Sequence, residues 1–347
     1  MAAARRKVLL GVCVSLFVTV SLLVTLLAVD VYLHHRHAMN AGLNIWGYRG
    51  PVLDDKQDGE RRIAVVGGST AFGYGVSWPD AIPALLEQKL NDAAPSGATY
   101  TVANLAYNNE GAYSFKYTLR DYADLDYDLA ILYTGYNDLS HNLNTAVHRH
   151  NSAVFSLTGY MPIFPVIFSE KAMMLRYDGD LEAAYINEKT VFTPNTGERL
   201  SATALETAVR VGQSLERQLG RLATTDPLNS VTSSMTCEGN WQAYCEQVVV
   251  AVDQVLADGK RVLVVTQPYI SDGHVVQQNN LIAMLNRSYG ANGNVRHVNL
   301  GESLYTLPSV LLTVDDLTFA WDNMHLTAAG NNEVSTKLVE PVLSMWK

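Results

Sequence analysis

From about residue 60 onward, short apolar runs alternate with longer amphipathic stretches. Five of these runs have the length and the content of branched and aromatic residues that are typical of β-strands. They are Arg62–Val66 (RIAVV), Tyr100–Leu105 (YTVANL), Leu129–Tyr133 (LAILY), Arg261–Thr266 (RVLVVT) and Val295–Leu300 (VRHVNL). Three of the runs are almost continuously apolar, which indicates a parallel sheet that is covered on both faces.

The stretches between the strands have the spacing of apolar residues that amphipathic helices show. They are Pro79–Asn91, Tyr113–Tyr122, Leu205–Ala223, Trp241–Ala257, Val275–Tyr289 and a last segment from Leu326 to the C-terminus. Regular alternation of strands and helices predicts a three-layer α/β fold with right-handed crossovers over residues 60–347.

One connection, residues 140–236, is much longer than a compact α/β unit needs. Its apolar first part, Ala153–Phe168, contains Pro162 and Pro165 and is therefore not a simple helix. We interpret the connection as an insertion that covers one edge of a ligand site on the sheet. A docked subdomain without a role in substrate binding is the alternative.

The N-terminal region contains an uncharged stretch, Val8–Val29, whose 22 residues span about 33 Å as a helix. This predicts an uncleaved transmembrane signal anchor at 8–29, with a long signal peptide as the alternative. Arg-Arg-Lys at 5–7 precedes the stretch and only Arg36 follows it closely. The positive-inside rule then places residues 1–7 in the cytoplasm. A linker at 30–59 would connect the anchor to a periplasmic or extracellular domain.

Composition narrows the functional classes. With 25 Lys and Arg against 34 Asp and Glu, the net charge is −9, which argues against nucleic-acid binding. Three cysteines are too few for a disulfide framework or a four-cysteine zinc site. His34, His35 and His37 favour a polar interfacial flank over a metal site, and the other histidines lack ligand spacing. We therefore expect no catalytic metal and no cofactor.

Candidate chemistry follows the ends of the predicted strands, where open parallel sheets bind ligands. The first strand ends in Gly67-Gly68-Ser69, a turn that could expose a hydroxyl next to backbone N–H groups. A phosphate loop is excluded because no Lys-Ser/Thr follows the glycines. The third strand ends in Gly135-Tyr136-Asn137-Asp138, where Asn137 could donate to an oxyanion or simply form a turn.

Three further residues complete a set that could perform nucleophilic catalysis. Asp322 and His325 lie three apart before the last helix, a spacing that lets a carboxylate orient an imidazole base. Gly111, after the second strand, could bring a backbone N–H to a ligand or could simply begin a helix.

The order of these elements along the chain resembles the SGNH hydrolase superfamily, also called GDSL-type esterases, over about residues 60–345 without the insertion. The resemblance implies that Ser69 is the nucleophile, with His325 as base and Asp322 as its orienting acid. It implies an oxyanion hole formed by Ser69, Gly111 and Asn137. The implied fold is a flavodoxin-like sandwich whose five-stranded parallel sheet has the order 2-1-3-4-5.

The chain departs from the family motif at Gly68, where Asp is usual. A Gly-Gly-Ser sequence fits the same turn, so the departure removes one side-chain contact and leaves the role of Ser69 unchanged.

The implied activity is hydrolysis of an ester through a covalent acyl-enzyme, by an esterase, lipase or carbohydrate deacetylase. The expected substrate is an acylated carbohydrate or a lipid ester. Two alternatives are an O-acyltransferase acting on an envelope glycan and a catalytically silent, membrane-tethered binding module.

The insertion also yields a prediction about substrate access. Its apolar residues could form a lid over Ser69, or they could pack inward at the sheet edge. The candidate lid residues are Phe155, Tyr160, Met161, Phe164 and Phe168.

Cys237 and Cys245 lie in the exported part of the chain, where an oxidising compartment permits a disulfide. Gly239 and a helix start near Trp241 could bring them together. Two buried free thiols are the alternative.

Overall fold

A computed structural model describes residues 2–39, 42–94, 97–139, 144–167, 237, 239–303, 320 and 324–347. The predicted helix Leu205–Ala223 lies outside these ranges, as do Phe168 and Asp322.

The described part of the chain alternates between strands and helices. In chain order the elements are α1 (Ala2–Arg36), β1 (Glu60–Gly67), α2 (Ser69–Phe72), α3 (Ile82–Asp92), β2 (Thr99–Asn104), α4 (Ala112–Asp121), β3 (Leu129–Thr134), α5 (Ala153–Thr158), α6 (Gln242–Ala257), β4 (Arg261–Thr266), α7 (Asp272–Tyr289), β5 (Val295–Asn299), α8 (Leu300–Ser303) and α9 (Ala328–Ser344). All five predicted strands are present, with ends within two residues of the expected ones.

The five strands form one parallel sheet in the order β2-β1-β3-β4-β5, which confirms the predicted order. All six residues of β3 and the last six of β1 are buried, as expected for central strands with helices on both faces. Helix α3 packs on α9, and α4 packs on α6, giving the two helical layers. The chain therefore has the α/β sandwich that the sequence predicts.

The sheet order has one consequence for function. Strand β1 pairs with β2 on one side and with β3 on the other, so the chain moves in one direction from β1 to β2 and then returns across β1 to β3. A crevice opens at the carboxyl ends of β1 and β3, which is where open α/β sheets bind ligands.

Helix α1 is one continuous element of 35 residues, about 52 Å long. Within the described part of the chain it is the one helix that is long and apolar enough to cross a membrane. Its last seven residues extend about 10 Å beyond Val29, and three of them, Asp30, Leu33 and His34, are buried.

The region expected to be a linker is therefore bound to the domain over part of its length. Asp30 Oδ1 accepts hydrogen bonds from the backbone N–H groups of Ile163 (2.9 Å) and Phe164 (2.6 Å). Its neighbour His34 contacts the carbonyls of Leu43 and Met161, each at 2.9 Å. The apolar insertion and the end of α1 bury each other, which a pattern of local hydrophobicity does not reveal.

Candidate active site

Ser69 is the first residue of α2 and follows directly after the carboxyl end of β1. Strand β3 ends beside it, and the short turn Tyr136–Asp138 presents Asn137 at the same edge of the sheet. The crevice between β1 and β3 thus holds two of the residues that the sequence indicated.

His325 comes from the distant C-terminal segment, and its Nε2 lies 2.8 Å from Ser69 Oγ. This is hydrogen-bond distance, as a general base needs in order to take the hydroxyl proton. Two contacts hold the histidine segment in place. The Thr70 hydroxyl donates to the Met324 carbonyl at 3.2 Å, and the Tyr74 ring lies 4.9 Å from the imidazole between centroids.

The orienting acid stays a prediction, because Asp322 lies outside the described residues. The segment that follows it is well fixed: Leu326 forms an antiparallel bridge with Ala320, and the Thr327 hydroxyl caps α9 through the Gly330 N–H at 3.2 Å. His325 directly precedes this bridge and this helix cap, which restrain the backbone that carries it.

Asn137 lies against the nucleophile turn. Its Nδ2 donates to the Glu110 carbonyl at 2.8 Å, which uses one of the two amide hydrogens and fixes the plane of the amide. The second hydrogen is the donor that an oxyanion would require.

The glycine before the nucleophile is explained by this packing. A Cβ built on Gly68 would overlap Asn137 Nδ2 and would lie 2.8 Å from the Glu110 carbonyl oxygen. A side chain such as the Asp expected at position 68 would not fit here, because the candidate oxyanion donor Asn137 occupies the space beside Gly68.

Gly111 precedes α4 at its N-cap position and also lies at this edge of the sheet. It packs against Asp138, because a Cβ at Gly111 would lie 2.5 Å from Asp138 Oδ1. The other oxygen, Asp138 Oδ2, accepts the Ala112 N–H at 2.9 Å. The carboxyl group thereby fixes the backbone whose N–H would complete the oxyanion hole.

Asp138 lies buried beside the candidate oxyanion hole, a position that sequence reasoning missed. Burial raises the pKa of Asp138 to about 7, and the hydrogen bond from Ala112 opposes this shift. The signal was present in the sequence, since Asp138 directly follows Asn137, but only the fold brings it to Gly111.

The candidate lid residues have partners away from the nucleophile. Phe155 is buried against Tyr122, with ring centroids 5.7 Å apart. Tyr160 bonds to Asp30 through its hydroxyl, and the Met161 N–H donates to the Ile45 carbonyl at 2.9 Å. These contacts correspond to the inward-packing alternative.

Phe164 shares this environment. It is partly buried and packs against the hydrophobic core, and its N–H bonds to Asp30. The described contacts of the stretch thus hold it to the end of α1, to Ile45 and to Tyr122. Phe168 lies outside the described residues.

The structure joins Cys237 and Cys245 in a disulfide, with Cα atoms 5.7 Å apart. Cys237 precedes the helical turn Gly239–Trp241, while Cys245 lies in the first turn of α6.

Among the described residues, no group of three or more His, Cys, Asp or Glu side chains is arranged to hold a metal ion.

Comparison with known proteins gives similarity at the level of the fold. No protein-family model matches this chain, and no curated protein matches it significantly. Among solved structures, a member of the lipolytic protein G-D-S-L family from Veillonella parvula is 9% identical, with a TM-score of 0.41. That match covers 81% of this chain and 97% of the other.

Two further solved structures belong to the same group of matches. A lipase/acylhydrolase from Enterococcus faecalis is 11% identical with a TM-score of 0.39, covering 81% of this chain and 95% of that one. A family two carbohydrate esterase from Clostridium thermocellum, solved with cellohexaose, is 11% identical with a TM-score of 0.37. It matches over 84% of this chain and 66% of its own length. The chain is thus similar to esterases and lipases in fold, and its own side chains must indicate its chemistry.

Proposed function

We propose that this protein is a serine ester hydrolase of the SGNH type that works through an acyl-enzyme. The observation that carries the proposal is the 2.8 Å hydrogen bond between Ser69 Oγ and His325 Nε2 at the carboxyl end of β1. A hydroxyl held on an imidazole beside an amide donor is the arrangement that acyl transfer to serine requires.

In the first step, Ser69 Oγ attacks the ester carbonyl carbon while His325 Nε2 takes the hydroxyl proton. The new oxyanion accepts hydrogen bonds from the backbone N–H groups of Ser69 and Gly111 and from Asn137 Nδ2. His325 then gives its proton to the departing alkoxide, and the acyl group stays on Ser69.

In the second step, water attacks the acyl-enzyme and His325 again acts as base. The tetrahedral intermediate collapses to the free acid and regenerates the Ser69 hydroxyl. Asp322 orients His325 and stabilises the imidazolium in both steps.

We place the enzyme at a membrane, with α1 as its anchor, residues 1–7 in the cytoplasm and the catalytic domain in the periplasm or outside the cell. The length and apolarity of α1 support this placement, as do the basic residues at 5–7. The expected substrates are acylated carbohydrates or lipid esters.

The test uses the full chain in detergent with aryl esters of increasing acyl length, beside acetylated glycans. We expect acid release by the parent and by Ser77→Ala, whose hydroxyl makes no capping hydrogen bond, and none by Ser69→Ala. Equal activity of Ser69→Ala would exclude this nucleophile. Adding an alcohol acceptor separates the two acyl-transfer outcomes: formation of a new ester at the expense of free acid would indicate an acyltransferase.

A further inference from the structure

A short hairpin, Gly42–Gly50, follows the anchor helix and precedes the catalytic domain; we call it the post-anchor hairpin. Leu43 and Arg49 form an antiparallel bridge across it, the Asn44 N–H donates to the Tyr48 carbonyl at 2.9 Å, and the Gly50 N–H donates to the Gly42 carbonyl at 2.8 Å. It is therefore a folded element.

The hairpin is fixed to the sheet beside the nucleophile. The Arg49 N–H donates to the carbonyl of Asn104, the last residue of β2, at 3.0 Å. Glycine at position 42 is required by this arrangement, because its φ is +67° and a Cβ there would lie 2.7 Å from Arg49 Nε.

The Arg49 side chain reaches under the nucleophile turn and is 4% exposed. Nη1 donates to the carbonyls of Phe72 (2.5 Å) and Gly73 (2.6 Å), and Nη2 donates to the Val76 carbonyl at 2.5 Å. The guanidinium also stacks on the Phe72 ring at 4.3 Å. Burial lowers the pKa of Arg49 to about 10, so the group is still charged at neutral pH.

These contacts matter because α2 is a single turn that begins at Ser69 and ends at Phe72. The last carbonyls of a helix have no partner within the helix, and a buried carbonyl without a donor is costly. Arg49 supplies charged donors at the end of the turn, and its two terminal nitrogens, held in one plane, reach three carbonyls that lie apart from one another. The turn that carries the nucleophile is thus hydrogen-bonded at its carboxyl end by a residue that precedes the α/β domain in the chain.

The same hairpin contacts the opposite side of the site and the anchor. Arg149 Nη1 donates to the Gly47 carbonyl at 3.2 Å, and Nη2 lies 3.7 Å from Glu110 Oε2. Glu110 is the residue whose carbonyl holds the Asn137 amide. His34, in the last turn of α1, lies 2.9 Å from the Leu43 carbonyl through Nδ1.

We infer that Arg49 is a positioning residue for Ser69, and that the post-anchor hairpin links the end of the membrane helix to the catalytic turn. The inference rests on the proposed function for its kinetic consequence. Its structural consequence, order in the segment 69–76, is independent of which reaction the protein performs.

The test compares Arg49→Met and Arg49→Lys with Arg62→Met in the full chain in detergent. Arg62 is the matched control: it is also 4% exposed and donates to the carbonyls of Leu125 (3.1 Å) and Asp54 (2.9 Å), but it lies near the amino end of β1. Each variant is measured for kcat and KM on an aryl ester below its melting temperature, and for amide hydrogen exchange in peptides covering 69–76.

For Arg49→Met we expect kcat to fall about 100-fold with KM changed less than about threefold, since a misplacement of about 1 Å has this cost. The kcat of Arg49→Lys should be about tenfold higher than that of Arg49→Met, because lysine restores the positive charge but not the two planar nitrogen donors of the guanidinium. The rate of amide hydrogen exchange in peptides covering 69–76 should rise in both Arg49 variants. Arg62→Met should lower the melting temperature but leave kcat within about threefold and exchange in 69–76 unchanged.

Equal kcat for Arg49→Met and Arg62→Met would overturn the inference, and so would unchanged exchange in 69–76. If the parent itself hydrolyses no ester, the proposed function fails, and the exchange result alone decides whether Arg49 positions the turn. If Arg49→Met does not fold, Arg49→Lys carries the same comparison.

Discussion

Gly68→Ala tests the packing of the oxyanion donor on the nucleophile turn. The substitution adds one methyl group next to Ser69 without changing any residue proposed to take part in the reaction. The added Cβ would overlap Asn137 Nδ2 and lie 2.8 Å from the Glu110 carbonyl oxygen. We therefore expect it to displace the amide from the site.

The magnitude follows from the distance that the amide must move. Ordinary contact between such atoms is about 3.5–4 Å, so Asn137 must shift by more than about 1 Å. A shift of this size loses the donor, and losing one oxyanion donor lowers kcat by about 10²–10³, or about 3–4 kcal/mol. The strain on folding should be about 1–3 kcal/mol.

The assay is a double-mutant cycle of Gly68→Ala and Asn137→Ala, with kcat and KM measured for an aryl ester. Each single change should lower kcat with little effect on KM, and the double variant should be about as slow as either one. Gly293→Ala is the control, since nothing lies within 4 Å of the added methyl. Full activity of Gly68→Ala, or additive losses in the double variant, would refute the reasoning.

Three further predictions concern Asp138, the disulfide and Phe155. The pKa of Asp138 is raised to about 7, so this carboxyl binds more proton in the native state than in the unfolded chain between about pH 4 and 7, and its contribution to stability falls as pH rises through that window. Asp138→Asn should remove up to about 2.6 kcal/mol of this loss in chemical unfolding at pH 8 compared with pH 5, and an unchanged pH dependence would contradict the assignment. Thiol titration of the denatured, unreduced protein should find only Cys13, whereas three reactive thiols would show that Cys237 and Cys245 are not bonded. Phe155→Ser should destabilise the fold by about 3–5 kcal/mol and leave acyl-length preference unchanged; a changed preference with an unchanged melting temperature would instead support a lid.

The sheet was predictable because its signals are local. Central strands such as Leu129–Thr134 are buried on both faces and are therefore apolar at every position, a pattern visible in the sequence alone. Strand order followed from the resemblance to a known family, and residues 69 and 137 were found because polar groups at strand ends are unusual.

The supporting residues could not be predicted because their partners are distant in the chain. Arg49 bonds to carbonyls 23 to 27 positions away, and Arg149 reaches Gly47 across 102 positions. Asp30 was part of an expected linker, but the insertion supplies backbone donors about 130 positions later that bury it. Such contacts depend on tertiary packing, for which hydrophobic periodicity contains no signal.

The central claim is that Ser69 is a nucleophile activated by His325. It is tested most directly by treating the full chain with a fluorophosphonate and locating the adduct by peptide mass spectrometry. We expect one adduct on Ser69, formed at least 100-fold more slowly in His325→Ala and absent in Ser69→Ala. An adduct at another residue, or labelling of His325→Ala at the parent rate, would contradict the account.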